Sequence, residues 1–69
     1  MIKQQYMGKI VKLFDIDGKV WHGKVALITS ATESESGENE LAIEFGGGLI
    51  EFRESEIEAI EEAKEESKK

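Results

Sequence analysis

The sequence contains no cysteine among its 69 residues and only one histidine. Without cysteine, the chain can form neither disulfides nor thiolate metal sites. A nucleophile–histidine–acid triad has only His22 to build on, and the spacing of the surrounding residues gives no sign of one. We therefore predict a non-catalytic protein with no catalytic residues, no metal site and no cofactor.

Long apolar segments are also missing. No run approaches the ~20 residues that cross a bilayer, and residues 1–6 lack the apolar segment of a signal peptide. We expect a soluble, cytoplasmic protein with no membrane partner. A chain this short forms one small domain that buries a modest share of its surface, and oligomerisation is then a common source of extra stability.

The net charge of −6 is unevenly distributed. Residues 1–32 carry five lysines against two aspartates, a balance of +3, whereas residues 33–69 carry thirteen glutamates against four basic residues, a balance of −9. Phosphate neutralisation supplies most of the affinity of sequence-blind nucleic-acid binding, so the acidic whole disfavours it. The lysines of the first half could form a local basic face, or could simply lie on solvated strand faces.

A β-hairpin is the strongest local signal. Asp17-Gly18 is a favoured turn pair, and it separates the β-rich runs 10–14 and 20–28. The stretch 15–18 also resembles the start of a calcium loop. Its glycine comes too early for that loop, however, and strands rather than helices flank it. The hairpin is the favoured interpretation.

The run 20–28 predicts one long strand. Strict alternation places Trp21, Gly23, Val25 and Leu27 on one face, and Val20, His22, Lys24, Ala26 and Ile28 on the other. A glycine inside a strand marks a bend or a close backbone approach, and a long strand bent at glycine lets a small sheet curl into a barrel. Trp21 is favoured as a core anchor, and the alternative is a stacking platform for bases.

The second half predicts shorter elements. Residues 29–39 read as a polar surface loop, 40–45 as a half-buried strand, 46–48 as a glycine turn and 49–52 as another strand. The glycine turn lacks the Lys-Ser/Thr pair and the helix of a phosphate-binding loop.

Residues 55–69 allow two interpretations. Ser55-Glu56-Ile57-Glu58 fits a capping box that would open a helix, but the apolar stripe beyond it is thin. The favoured alternative is a single turn at 54–56, a strand at 57–61 and a charged tail that is dispensable for folding. This division gives a barrel domain over 1–61 and a tail over 62–69.

Five short strands with regular turn signals predict a closed or nearly closed β-barrel. The stretch Gly18-Lys19-Val20-Trp21-His22-Gly23-Lys24-Val25 resembles the first motif of Sm-like (LSM) proteins, and residues 49–61 are similar to the last strands of small bacterial members. The resemblance spans about residues 8–61. It implies an all-β, five-stranded, strongly bent SH3-like or Sm-like barrel, with room for a short N-terminal helical turn.

The departures from the Sm-like pattern concern its RNA site. Thr29 stands where the motif usually has Asp, Glu33 stands near the place of the base-pocket Asn, and Arg53-Glu54 replaces the Arg-Gly step. We therefore expect a non-catalytic interaction module that binds itself, as a homo-oligomer, or another protein. The alternative is an RNA-binding Sm-like oligomer. The candidate nucleic-acid or partner contacts are Lys9, Lys12, Lys19, Trp21 and Lys24.

Overall fold

The computed structural model of the protein describes residues 1–63. It contains five strands, β1 (Ile10–Asp15), β2 (Val20–Thr29), β3 (Glu40–Phe45), β4 (Gly48–Arg53) and β5 (Ile57–Glu62). Single 3-10 turns lie at Gln4–Tyr6 and Glu54–Glu56. In this described part, no helix has the length and apolar character needed to cross a membrane.

The strands form one antiparallel sheet in the order β4-β3-β2-β1-β5. The long strand β2 joins its two halves, because its first half pairs with β1 and its second half pairs with β3. The predicted small, strongly bent all-β fold is confirmed. Within residues 1–63 the ladder does not close through β4 and β5, so both remain edge strands.

The core lies on the inner side of this bent sheet. Its fully buried side chains come from three consecutive strands and are Val11, Leu13, Val25, Leu41 and Ile43. Tyr6, Phe52 and Ile57 extend the same cluster. Each large apolar side chain removed from water contributes on the order of 1.5–3 kcal/mol, and this cluster is the principal stabilising feature.

At Gly23, β3 packs closely on β2. A Cβ atom there would collide with the carbonyl oxygen of Glu44 and lie 3.2 Å from the Cβ of Ile43. The close backbone approach predicted for this glycine is therefore confirmed. Only a residue without a side chain lets the two halves of the sheet pack together here.

The prediction that side chains alternate strictly between the two faces of β2 is wrong beyond Val25. The β2–β3 register shifts between Val25 and Leu27, so Ala26 forms a β-bulge. A bulge adds one residue and thereby exchanges the faces of all the residues that follow it. Ile28 consequently packs against the core, whereas Leu27, predicted to share the face of Trp21, is 50% exposed.

The last elements follow the turn-and-strand interpretation rather than the helix. The turn occupies Glu54–Glu56, and β5 follows directly. Ser55 does not cap a helix, because its amide and hydroxyl donate to the carboxylate of Glu38 at 2.8 and 3.1 Å. The sheet continues past the predicted end of the barrel domain, since the amide of Ala63 donates to the carbonyl of Ile10 at 2.9 Å. The rest of the predicted tail, 64–69, lies outside the described residues.

Candidate functional site

Asp15 organises the end of the β1–β2 hairpin. One carboxylate oxygen accepts the backbone amides of Asp17 and Lys19 at 2.8 and 2.9 Å, and the other accepts the indole Nε1–H of Trp21 at 2.9 Å. The residue is only 8% exposed. The Trp21 hydrogen bond, followed by that from Lys19, lowers the pKa of Asp15 because these donors favour the charged form.

Trp21 packs as part of an aromatic cluster. Its ring meets Phe45 edge-on at 5.2 Å and Phe52 at 5.5 Å between centroids. The ammonium of Lys19 lies 5.8 Å from the ring centroid. With its Nε1–H bonded to Asp15 and its ring packed against the core, Trp21 has the position of the predicted core anchor. Trp21 as a whole is half-buried.

A shallow cleft beside this hairpin end is strongly acidic. It lies between the β1–β2 turn and the second 3-10 turn, and its walls include Asp15, Asp17, Glu51 and Glu56 beside Phe52. Carboxylates at this density repel phosphate groups. The cleft itself is therefore electrostatically unfavourable for a polyanion.

The second 3-10 turn is held by carboxylates as well. The side chain of Glu56 accepts the backbone amide of Arg53 at 2.9 Å and its guanidinium at 3.1 Å, and these bonds lower the pKa of Glu56. Glu54 accepts from the side chain of Asn39 at 3.0 Å and lies 3.3 Å from the N-terminal ammonium of Met1. Both interactions lower the pKa of Glu54, with the Asn39 bond the larger cause.

The predicted lysine contacts do not form one patch. Lys12 and Lys24 share the outer side of β1 and β2, where Lys12 lies opposite His22. Lys9 instead pairs with Glu62 at 3.5 Å near the end of β5. Lys19 lies beside Trp21 at the acidic hairpin end. Of these lysines, Lys9 alone forms an ion pair among residues 1–63, and Lys12 and Lys24 are the two that share a face.

The two edge strands are the other candidate interaction surface. Within the described part of the chain, neither β4 nor β5 has a strand partner on its outward side. On β5, Ala63 donates its amide inward to Ile10, so the amide and carbonyl of the preceding Glu62 point to the open edge. An edge with unpaired backbone groups is a template for an added strand.

Two features of the structure were not predicted from the sequence. Asn39 was assigned to a loop, yet its side chain accepts from the amide of Ala31 at 2.8 Å and donates to Glu54. The sequence signal for this role was the position of a polar residue directly before a strand. The exposure of Leu27 was not predicted, because the bulge rather than alternation determines its face.

No group of three or more His, Asp or Glu side chains in residues 1–63 is placed to hold a metal ion. The fold and these surfaces together define a small all-β, barrel-like domain with two open strand edges. Comparisons with models of known families, with curated proteins and with solved structures found no match.

Proposed function

We propose that this protein is a non-catalytic interaction module of the Sm-like kind, which acts by adding a strand from a second copy or a partner protein to its sheet. The observation that carries the proposal is the pair of open edges, β4 and β5. Strand addition uses backbone hydrogen bonds for affinity and the alternate side chains for selectivity. A domain of 69 residues also gains stability when another chain covers part of its surface.

The two edges differ in charge, which bears on the choice of partner. The edge strand β5 carries Glu58, Glu61 and Glu62, whereas β4 carries Glu51 and Arg53. Charged side chains on an edge reduce indiscriminate pairing. A neutral or basic strand is therefore the favoured partner for β5. In a second copy that strand would be β4, because it is the less acidic of the two edges.

The test is a proline placed where it blocks only the open edge. Glu62→Pro removes an amide that points away from β1, so the internal ladder keeps its hydrogen bonds. Glu62→Ala is the matched control, because it loses the same side chain and the same contact with Lys9 while keeping the amide. Sedimentation velocity should show weaker self-association for the proline variant only. Equal association of both variants would contradict edge addition at β5.

An RNA-binding oligomer is the second candidate, and one observation favours it. Lys12 and Lys24 lie together on one outer face, with the ammonium of Lys12 5.9 Å from the ring centroid of Phe14. Lysines beside an aromatic ring are a common composition for single-stranded nucleic-acid surfaces. The acidic cleft and the overall charge of −6 act against this candidate.

A further inference from the structure

The outer surface of the bent sheet divides into two faces of opposite charge. The basic face is the outer side of β1 and the first half of β2, and consists of Ile10, Lys12, Phe14, Val20, His22 and Lys24. The acidic face is the outer side of β3, β4 and the end of β2, and consists of Leu27, Glu40, Ala42, Glu44, Leu49, Glu51 and Arg53. The bend in β2 separates them.

The basic face combines lysines with exposed apolar side chains. Cross-strand pairing places Lys24 beside Ile10, which is 46% exposed, and Val20, which is 47% exposed, beside Phe14. Glu61 of β5 lies opposite Lys12 and is the carboxylate that borders this face. In residues 1–63 neither Lys12 nor Lys24 forms an ion pair.

The acidic face combines glutamates with exposed apolar side chains. Glu44 lies opposite Leu49, which is 59% exposed, and Glu51 lies opposite Ala42 beside the exposed Leu27. Arg53 stands opposite Glu40, but its guanidinium bonds to Glu56 instead. An excess of negative charge therefore surrounds two exposed leucines.

We propose that the basic face of one copy docks on the acidic face of a second copy. The faces are complementary in charge, because lysines of one copy would meet glutamates of the other. Both faces also carry exposed apolar side chains, which the contact would bury. The contact is heterologous, since the two faces are different parts of one chain, and it therefore builds open chains or rings of copies. This inference rests on the proposed function only in taking a second copy as the partner.

Ionic strength distinguishes this contact from edge addition. Docking between faces of opposite charge weakens when salt screens them. Addition of β4 of another copy beside β5 gains little from charge attraction, because Glu51 and Arg53 balance each other, and salt should therefore change it less. Association that weakens strongly with salt thus favours docking between the faces.

A charge-swap experiment tests the proposal. Lys12→Glu/Lys24→Glu reverses the basic face, and Glu44→Lys/Glu51→Lys reverses the acidic face. Lys3→Glu is the control for net charge alone, because it lowers the net charge as much as Lys12→Gln/Lys24→Gln does, but away from both faces. Lys12→Gln/Lys24→Gln serves as a second variant should the reversal impair folding, which circular dichroism monitors.

Sedimentation velocity at low ionic strength is the readout. We expect each reversed variant alone to associate at least about tenfold more weakly than the wild type, and an equimolar mixture of the two to recover association, since the reversed faces complement each other. The control should associate like the wild type. Unchanged association of the reversed variants, a mixture without recovery, or a wild type that stays monomeric would overturn the proposal. Glu62→Pro, measured alongside, reports on edge addition separately.

Discussion

The two hairpins of this protein are built by different means. The β1–β2 turn depends on one side chain, because Asp15 accepts two backbone amides and the indole of Trp21. The β3–β4 turn depends on backbone freedom, because Gly46 and Gly47 have φ values of +60° and +86°, as in the two-residue turns that match strand twist. A polar network also anchors the first hairpin to the aromatic cluster, whereas glycines alone form the tip of the second.

The two hairpins also differ in how they meet the core. The end of the first hairpin is tied to the core through Trp21, whereas Phe45 of the second hairpin is 47% exposed where it packs edge-on against that ring. Exposed apolar side chains occur at both turns, with Ile16 in the first and Leu49 beside the second. The first turn is thus fixed by a side chain and the second by backbone conformation.

The largest effect is expected at Gly23, where β3 packs on β2. Gly23→Val should lower the free energy of unfolding by about 3 kcal/mol, because the new side chain collides with the backbone of Glu44 and the site is overpacked. Urea denaturation measures the change. Gly48→Val is the control, since nothing lies within 4 Å of a Cβ there and its effect should be small. Similar stability of the two variants would reject the close approach of the two halves.

The next effect concerns the side chain that fixes the first hairpin. Asp15→Asn should lower the melting temperature well below that of Asp17→Asn, because an amide cannot accept from both the turn amides and the indole. Trp21 fluorescence should change in the Asp15 variant alone. If the two variants melt alike with the wild-type spectrum, the turn does not depend on Asp15.

A smaller effect is expected at the glycine tip of the second hairpin. Gly47→Ala should cost about 1–2 kcal/mol, because a side chain is strained at φ +86°. Gly48→Ala, where no positive φ occurs, should leave stability nearly unchanged. Thermal unfolding of the two variants compares them directly, and equal melting temperatures would show that this turn tolerates side chains.

Acid should weaken the first hairpin and the second 3-10 turn together. The folded-state pKa values of Asp15, Glu54 and Glu56 lie below their ordinary values of 3.8 and 4.5. Their contribution to stability is therefore complete above those ordinary values and is lost as the pH falls through the lowered ones. Thermal melts from pH 7 down to pH 2 should show a decline beginning near pH 4.5, with a shallower decline for Asp15→Asn. A flat profile would exclude these carboxylates as stabilising groups.

Much of the fold was predictable because its signals are local. The Asp17-Gly18 turn, the glycine turn at 46–48 and the alternation of β3 each depend on neighbouring residues. The thin apolar stripe after Ser55 correctly favoured a strand over a helix. Even Gly23 gave a signal, because a glycine inside a long strand needs a structural reason.

The missed features depend on contacts between distant residues. Ala26 has no property that marks it as a bulge, because the register of β3 against β2 produces the shift. The bond from Asn39 to Glu54 joins a loop to a turn fifteen residues away. The five predicted contact residues lie on different surfaces for the same reason. Lysines that are close in sequence alternate between faces or find different partners, such as Glu62 for Lys9.

The weakest interaction that we expect is with nucleic acid. The net charge is −6, and only Lys12 and Lys24 share a face without ion pairs in the described chain. Fluorescence anisotropy with labelled oligo-U or oligo-A near physiological salt should show weak binding or none. Any residual binding should fall in Lys12→Glu/Lys24→Glu but persist in Lys3→Glu. Submicromolar binding would favour the RNA-binding oligomer.

The molar mass in solution tests the central claim most directly, since an interaction module with open edges should associate. Sedimentation equilibrium over a wide concentration range, with and without oligo-U, compares the observed mass with the 7.7 kDa of one chain. We expect a mass that exceeds one chain, rises with protein concentration and does not depend on added RNA. A mass of one chain at every concentration would contradict self-assembly, and assembly that requires the RNA would contradict the protein-interaction function.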